Sequence, residues 1–161
     1  MATLAAMAET VGGLLKARKE TVAIAESSTG GLISAALLAV PGASAYFVGG
    51  GVIYTHQARK ALLGADLADH PGMRPSTEPY AILCATSVRE LLGTTWGLGE
   101  TGASGPTGNR YGDAAGHSCI ALSGPQSRSI TLETGQTERE ANMWRFAREA
   151  LALIEELLRR G

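Results

Sequence analysis

The chain has 161 residues, 45% of them hydrophobic and 18% charged, a balance that excludes a disordered chain. Fourteen Lys and Arg face fifteen Asp and Glu with no basic block, which excludes the positive stripe of a nucleic-acid-binding surface. The two cysteines, Cys84 and Cys119, lie outside any CxxC or Cys/His cluster and argue for a reduced compartment.

Residues 3–18 carry Leu4, Met7, Val11, Leu14 and Leu15 near helical spacing and predict an amphipathic helix. The preceding Met1–Val11 stretch has no basic leader region, and no apolar run approaches the roughly 20 residues of a membrane span. A cytoplasmic protein without a membrane partner is therefore expected. Thr21–Ala25 reads as a buried strand, which feeds the turn Glu26-Ser27-Ser28-Thr29-Gly30-Gly31 and then a helix over Leu32–Val40 ending at Pro41-Gly42. An extended stretch from Ala45 to Tyr54 is broken by Gly49-Gly50-Gly51, leaving Gly51–Tyr54 as the predicted strand. A short helix opens at Thr55 and ends near Leu63-Gly64. Residues 65–76 read as loop, and Thr77–Leu92 as a helix with Pro79 in its first turn.

Trp96–Glu100 predicts a second central strand, leading into Thr101-Gly102-Ala103-Ser104-Gly105-Pro106-Thr107-Gly108. Ser118–Leu122 and Ser127–Glu133 predict a strand pair. Thr137–Arg160 predicts a closing helix capped by Thr137, whose stripe from Trp144 through Leu158 faces the sheet. Strands alternating with helices, without internal repeats or linkers, predict one α/β domain over residues 1–161.

Ligands of open α/β sheets gather beyond the carboxyl ends of strands, so the loops 26–31 and 101–108 are expected to line one crevice. Both offer hydroxyls and glycine N–H groups, donors suited to phosphate or an oxyanion, yet neither fits a Walker A or Rossmann fingerprint.

Taken in order, Glu26-Ser27-Ser28-Thr29-Gly30-Gly31, Pro41-Gly42-Ala43-Ser44 with Phe47, Gly51-Val52-Ile53-Tyr54, Leu63-Gly64, Thr101–Pro106, Gly116 and Arg139 resemble the CinA C-terminal domain family, the nicotinamide-nucleotide amidohydrolases. The first motif resembles that family's E-S-C-T-G-G signature. The resemblance implies a three-layer α/β/α sandwich on a mixed, mainly parallel sheet, with no cofactor and no metal. It implies hydrolysis of the carboxamide of nicotinamide mononucleotide to the nicotinate form and ammonia. Ser27 would then be the nucleophile and Tyr54 its assistant. Glu26, Ser28, Thr29, Gly30, Gly31, Ser44, Thr101, Gly102, Gly105 and Arg139 would meet the nucleotide.

A serine hydroxyl needs a base, and the family's base is a lysine five residues after the tyrosine. Here that position is Arg59, which stays protonated, with Lys60 beside it. Both belong to the candidate catalytic set. Lys60 can complete a serine–lysine pair only if the local helix shifts register, since one residue turns a helix by about 100°. Otherwise Arg59 is left to hold a phosphate or an oxyanion. Met143 and Asp113 stand where the family has basic residues, so two further positive charges are altered. The alternative to an amidohydrolase is a catalytically silent relative that binds a nucleotide-like or phosphorylated ligand.

His56, His70 and His117 have no metal-ligand spacing and read as loop or surface residues, His56 being a further candidate base because it lies two residues past Tyr54. Trp96 and Trp144 are expected in the core. Arg110-Tyr111 falls where it could cover a nucleotide base. The glycine-rich 48–51 segment and the broad apolar stripe of the last helix leave room for a homodimer or higher homo-oligomer.

Overall fold

The computed structural model describes residues 3–161; Met1 and Ala2, which begin the segment read for a leader, lie outside the described residues. A five-stranded sheet has the order β2-β1-β3-β4-β5, from strands Val22–Glu26 (β1), Phe47–Val52 (β2), Trp96–Ala103 (β3), His117–Ser123 (β4) and Arg128–Glu133 (β5). β2, β1 and β3 run parallel, β4 opposes β3, and β5 opposes β4, so four of the five strands point one way. Helices α1 (Leu4–Arg18), α2 (Leu32–Leu38) and α5 (Arg139–Arg160) cover one face, α4 (Glu78–Leu92) covers the other, and the short α3 (His56–Ala58) follows β2. This is the mixed three-layer α/β/α sandwich that the family resemblance implies.

The two faces of the sheet are set by strand alternation. Val22, Ile24, Trp96, Leu98, Ile120 and Leu122 point into the thicker core beneath α1, α2 and α5. Between them, Ala23, Ala25, Cys119 and Ala121 face α4 with little side-chain volume. Gly97 and Gly99 complete this thin face: a Cβ there would stand 2.1 Å from the Ala85 carbonyl oxygen and 2.3 Å from that of Ala81. The helix lies almost on the strand backbone, which only glycine permits.

Several boundaries depart from the sequence reading. The 49–51 glycines do not interrupt β2; parallel pairing with Ala23, Ile24 and Ala25 carries the strand through them. α2 stops at Leu38 rather than Val40 because Pro41 biases the residue before it away from helical geometry. β3 runs three residues past Glu100, since Gly102 and Ala103 pair with Ser118 and His117. Thr137 does not cap α5; the Glu138 carboxylate accepts from the Ala141 N–H at 2.6 Å. Thr77 does cap α4, accepting from the Tyr80 N–H. Trp96 is buried as expected, but Trp144 is 44% exposed, on the wall of a surface groove it shares with Leu4, Leu32, Ala35, Ala36 and Ala39.

Candidate functional site

β1 and β3 are parallel neighbours, so the segments leaving their carboxyl ends meet. A cleft of 460 Å³ opens there, with Ser27, Tyr54, His56, Arg59, Thr101 and Gly102 among its walls and Ser76, Tyr80, Asn109, Arg110 and Tyr111 also lining it. It is of the size that takes a small organic ligand. None of the lining residues is an Asp or Glu.

The loop after β1 is held from below by two buried glutamates. Glu26 is not a wall of the cleft. Its carboxylate accepts from the N–H groups of Gly31, Ile33 and Ser34 at 2.8–3.1 Å and so caps α2. Glu100, which the motif reading passed over, is 1% exposed and gathers five donors: the N–H groups of Ser27 and Thr29, and the hydroxyls of Ser28, Thr29 and Ser118. Burial pushes its carboxyl pKa up while these hydrogen bonds oppose the shift. The signal in the sequence is a charge at the end of the otherwise apolar run Trp96–Gly99.

Ser28 and Thr29 are therefore consumed inside the loop, and Ser27 alone of the three reaches the cleft. Gly30 is exposed and lies under Met143. Gly31 occupies the position before α2. The second loop is tied to the first by the Ser104 hydroxyl, which donates to the Ser28 carbonyl at 3.1 Å. Gly105 adopts φ +115°, and a Cβ would meet the Thr137 carbonyl oxygen at 2.5 Å. Buried Asn142 locks this corner by donating to the Ser104 and Gln136 carbonyls.

Arg139 does not line the cleft. Its guanidinium donates to the Gly105 carbonyl at 2.5 Å and to the Tyr54 hydroxyl at 3.3 Å, bracing the rim. Ser44 is not brought into the site at all. It lies in the turn before β2, beside the start of β1 where the Val22 N–H meets the Tyr46 carbonyl, at the opposite end of the sheet.

The register at the decisive pair is clear. The helix opening at His56 widens into a π-helical turn over Arg59–Leu63, a geometry frequent at functional sites. It turns Arg59 inward, 1% exposed, and Lys60 outward, where its ammonium pairs with Asp66 at 3.3 Å. Lys60 thus does not complete a pair with Ser27. The Arg59 guanidinium donates to the Tyr80 hydroxyl at 3.0 Å, lies 5.3 Å from the centre of that ring, and contacts His56 Nδ1. Its buried Nε has no partner. Since a guanidinium only donates, His56 Nδ1 must accept, and the imidazole proton sits on Nε2. His56 then offers the cleft a donor and is poorly set to take a proton from Ser27. The hydrogen bonds of Ser27 run through its backbone, to Glu100 and from Gly30.

A second network shapes the far wall. Contrary to expectation, His117 is buried on β4. Its Nε2 lies 2.8 Å from the Ser76 carbonyl oxygen and its Nδ1 contacts the Glu133 carboxylate, two acceptors that require protons on both nitrogens. Burial alone would lower its pKa; Glu133, the Ser76 carbonyl and Asp113 raise it above the ordinary value. Asp113 is paired with Arg74 at 2.8 Å and takes the Asn109 side-chain amide at the same distance. The Arg74 contact holds its carboxyl below the usual range. Ser76 is itself in the left-handed region, φ +63°, with its N–H on the Thr101 hydroxyl. His70 is not among the residues lining this cleft. Among the described residues, no cluster of three or more His, Cys, Asp or Glu is placed to hold a metal ion, and no helix is long and apolar enough to cross a membrane.

Comparison with known proteins agrees with this architecture. A CinA-like protein of Synechocystis sp. is 38% identical over 156 residues, covering 96% of this chain and 37% of that protein. One of Desulfosudis oleivorans is 43% identical over 115 residues, covering 71% and 28%. The chain thus spans about a third of the length of the curated relatives it matches. A solved competence-damaged protein (CinA) superfamily member from Klebsiella pneumoniae superposes with a TM-score of 0.93 at 24% identity, over 99% of this chain and 100% of that one. Its fold is the one described above. A family model described as the CinA C-terminal domain matches residues 4–158, and on that match the chain belongs to the CinA C-terminal domain family.

Proposed function

We propose that the cleft binds a nucleotide-like or phosphorylated small molecule without hydrolysing an amide through Ser27. The observation that carries this reading is the inward position of Arg59 and the outward position of Lys60. Amide hydrolysis through Ser27 needs a group that removes its proton and returns it to the departing ammonia. Arginine stays charged, Lys60 is paired with Asp66 outside the cleft, and His56 already accepts at Nδ1. The ligand-facing parts are intact by contrast: an open serine hydroxyl, Thr101 and Gly102, two arginines, and tyrosine rings for a flat group.

The amidohydrolase reading draws its support from Ser27 standing at the end of β1 on the cleft wall. Ammonia release from nicotinamide mononucleotide by the purified chain decides between the two, run beside titration calorimetry with the same compound. Binding without ammonia above the uncatalysed background is the expected result. Turnover that disappears in Ser27→Ala would overturn the proposal, and its loss in Lys60→Ala would bring that lysine back as the base. Arg59→Lys adds a sharper comparison, because it returns to the inward position an amine whose pKa burial can lower. Turnover gained in that variant alone would trace the silence of the chain to one side chain.

A further inference from the structure

Arg59 is a buried cation with nothing to balance it. It is 1% exposed, and among the described residues no carboxylate comes within 4.0 Å of its guanidinium. Its two polar contacts, the Tyr80 hydroxyl and His56 Nδ1, are neutral, and its Nε is unpartnered. Buried charges are ordinarily paired, because removing an ion from water is costly. The cleft wall on which Arg59 stands carries no acidic residue, and a second arginine, Arg110, lies along it. The His56 tautomer fixed by Arg59 adds an Nε2–H donor on the same wall.

From this arrangement we infer that Arg59 is the anion receptor of the cleft: it takes an oxyanion of the ligand, carboxylate or phosphate, on the N–H groups its protein contacts leave free. The planar guanidinium fork suits both groups. The inference deepens the proposed binding role and rests on it, since it assigns the charge of what binds and the residue that selects it.

The test is thermal unfolding of the full chain with three probes: sodium benzoate, its neutral isostere benzamide, and inorganic phosphate. Sodium chloride at matched ionic strength controls for screening. The expected result is a rise in Tm with benzoate or phosphate and none with benzamide. At about a hundredfold excess over Kd, the rise should reach about 5–10 °C. A response to benzoate alone assigns a carboxylate, and a response to phosphate alone assigns a phosphate. Arg59→Met should abolish the response. Arg59→Gln, which keeps a donor for Tyr80 without the charge, should do the same and serves if the methionine variant fails to fold. Lys60→Ala should respond as fully as the natural chain. The inference is overturned if neither anion shifts Tm at tens of millimolar, or if the shift survives in both Arg59 variants. Ammonia release stays a separate readout: turnover with an intact anion response defeats the proposed function alone, and silence with no anion response defeats this inference alone.

Discussion

Glu100 and Arg59 are both 1% exposed, and both stand next to the cleft, yet they are treated in opposite ways. Five donors converge on the Glu100 carboxylate from the loop after β1 and from β4. Arg59 has two neutral contacts and an orphan Nε. A buried polar group that is fully satisfied rigidifies what surrounds it, whereas one left partly open is a cost the fold bears for another reason. Glu100 therefore reads as architecture: it orders Ser27, Ser28 and Thr29 so that the serine reaches the cleft. Arg59 reads as function. The difference teaches that burial alone does not separate a structural charge from a binding one; the state of its hydrogen bonds does.

The largest expected effect tests the architectural half. Glu100→Ala removes the acceptor for two backbone N–H groups and leaves the Ser28 and Ser118 hydroxyls to find other partners while that of Thr29 keeps Glu26, and should cost about 3 kcal/mol or more in urea unfolding. Glu100→Gln keeps the shape, and its amide can donate to the Ser28 and Ser118 hydroxyls once they turn, so it should lose less than half as much. The sign of its pH dependence follows from the raised carboxyl pKa. The folded chain holds this proton more tightly than the unfolded chain, so ionisation weakens the native state as pH rises above the ordinary value of 4.5. The glutamine variant should therefore gain on the natural chain through that range. A flat difference would show that Glu100 is not the group responsible.

A smaller effect is expected at His117, which is satisfied like Glu100 but titrates nearer neutrality. Its folded pKa is raised from 6.5, so the stability it contributes is complete below 6.5 and fades as pH rises through the folded value. His117→Gln should cost about 1 kcal/mol at pH 6 through the weakened Ser76 contact, and less at pH 8.5. Urea midpoints at the two pH values check this. An equal loss at both would mean that folding leaves the His117 pKa unshifted.

The satisfied parts of the molecule were the more legible ones. Strand alternation and the order of elements can be read from Val22–Ala25 and Trp96–Gly99 because one period governs each. Glu26 was legible as important but not as a cap, because its partners are N–H groups five to eight residues on, which no side-chain pattern announces. Glu100 was missed for the same reason: its value lies in contacts with residues 18 and about seventy positions away. Ser44 shares a motif line with the site residues but sits at the other end of the sheet, since a parallel strand starts where its neighbour starts. The pair 59–60 was the hardest. An ideal helix and a π-helical turn place the same two side chains differently, and only the local winding decides which faces in.

The smallest effects belong to that pair and bear on the functional half of the contrast. Arg59→Met gives up one hydrogen bond to Tyr80 and one to His56 but also removes an uncompensated charge, so its stability should stay within about 1 kcal/mol of the natural chain. Lys60→Ala breaks only an exposed ion pair whose lysine side chain is 67% accessible, and should change stability by less than about 0.5 kcal/mol. Urea titrations of each variant at low and high salt check the two expectations. The Lys60→Ala difference should vanish when salt screens the exposed pair, and that of Arg59→Met should change less because a buried charge is screened less. If the two variants traded these behaviours, the inward residue of the π-helical turn would be Lys60, and the anion receptor and the absent base would exchange places.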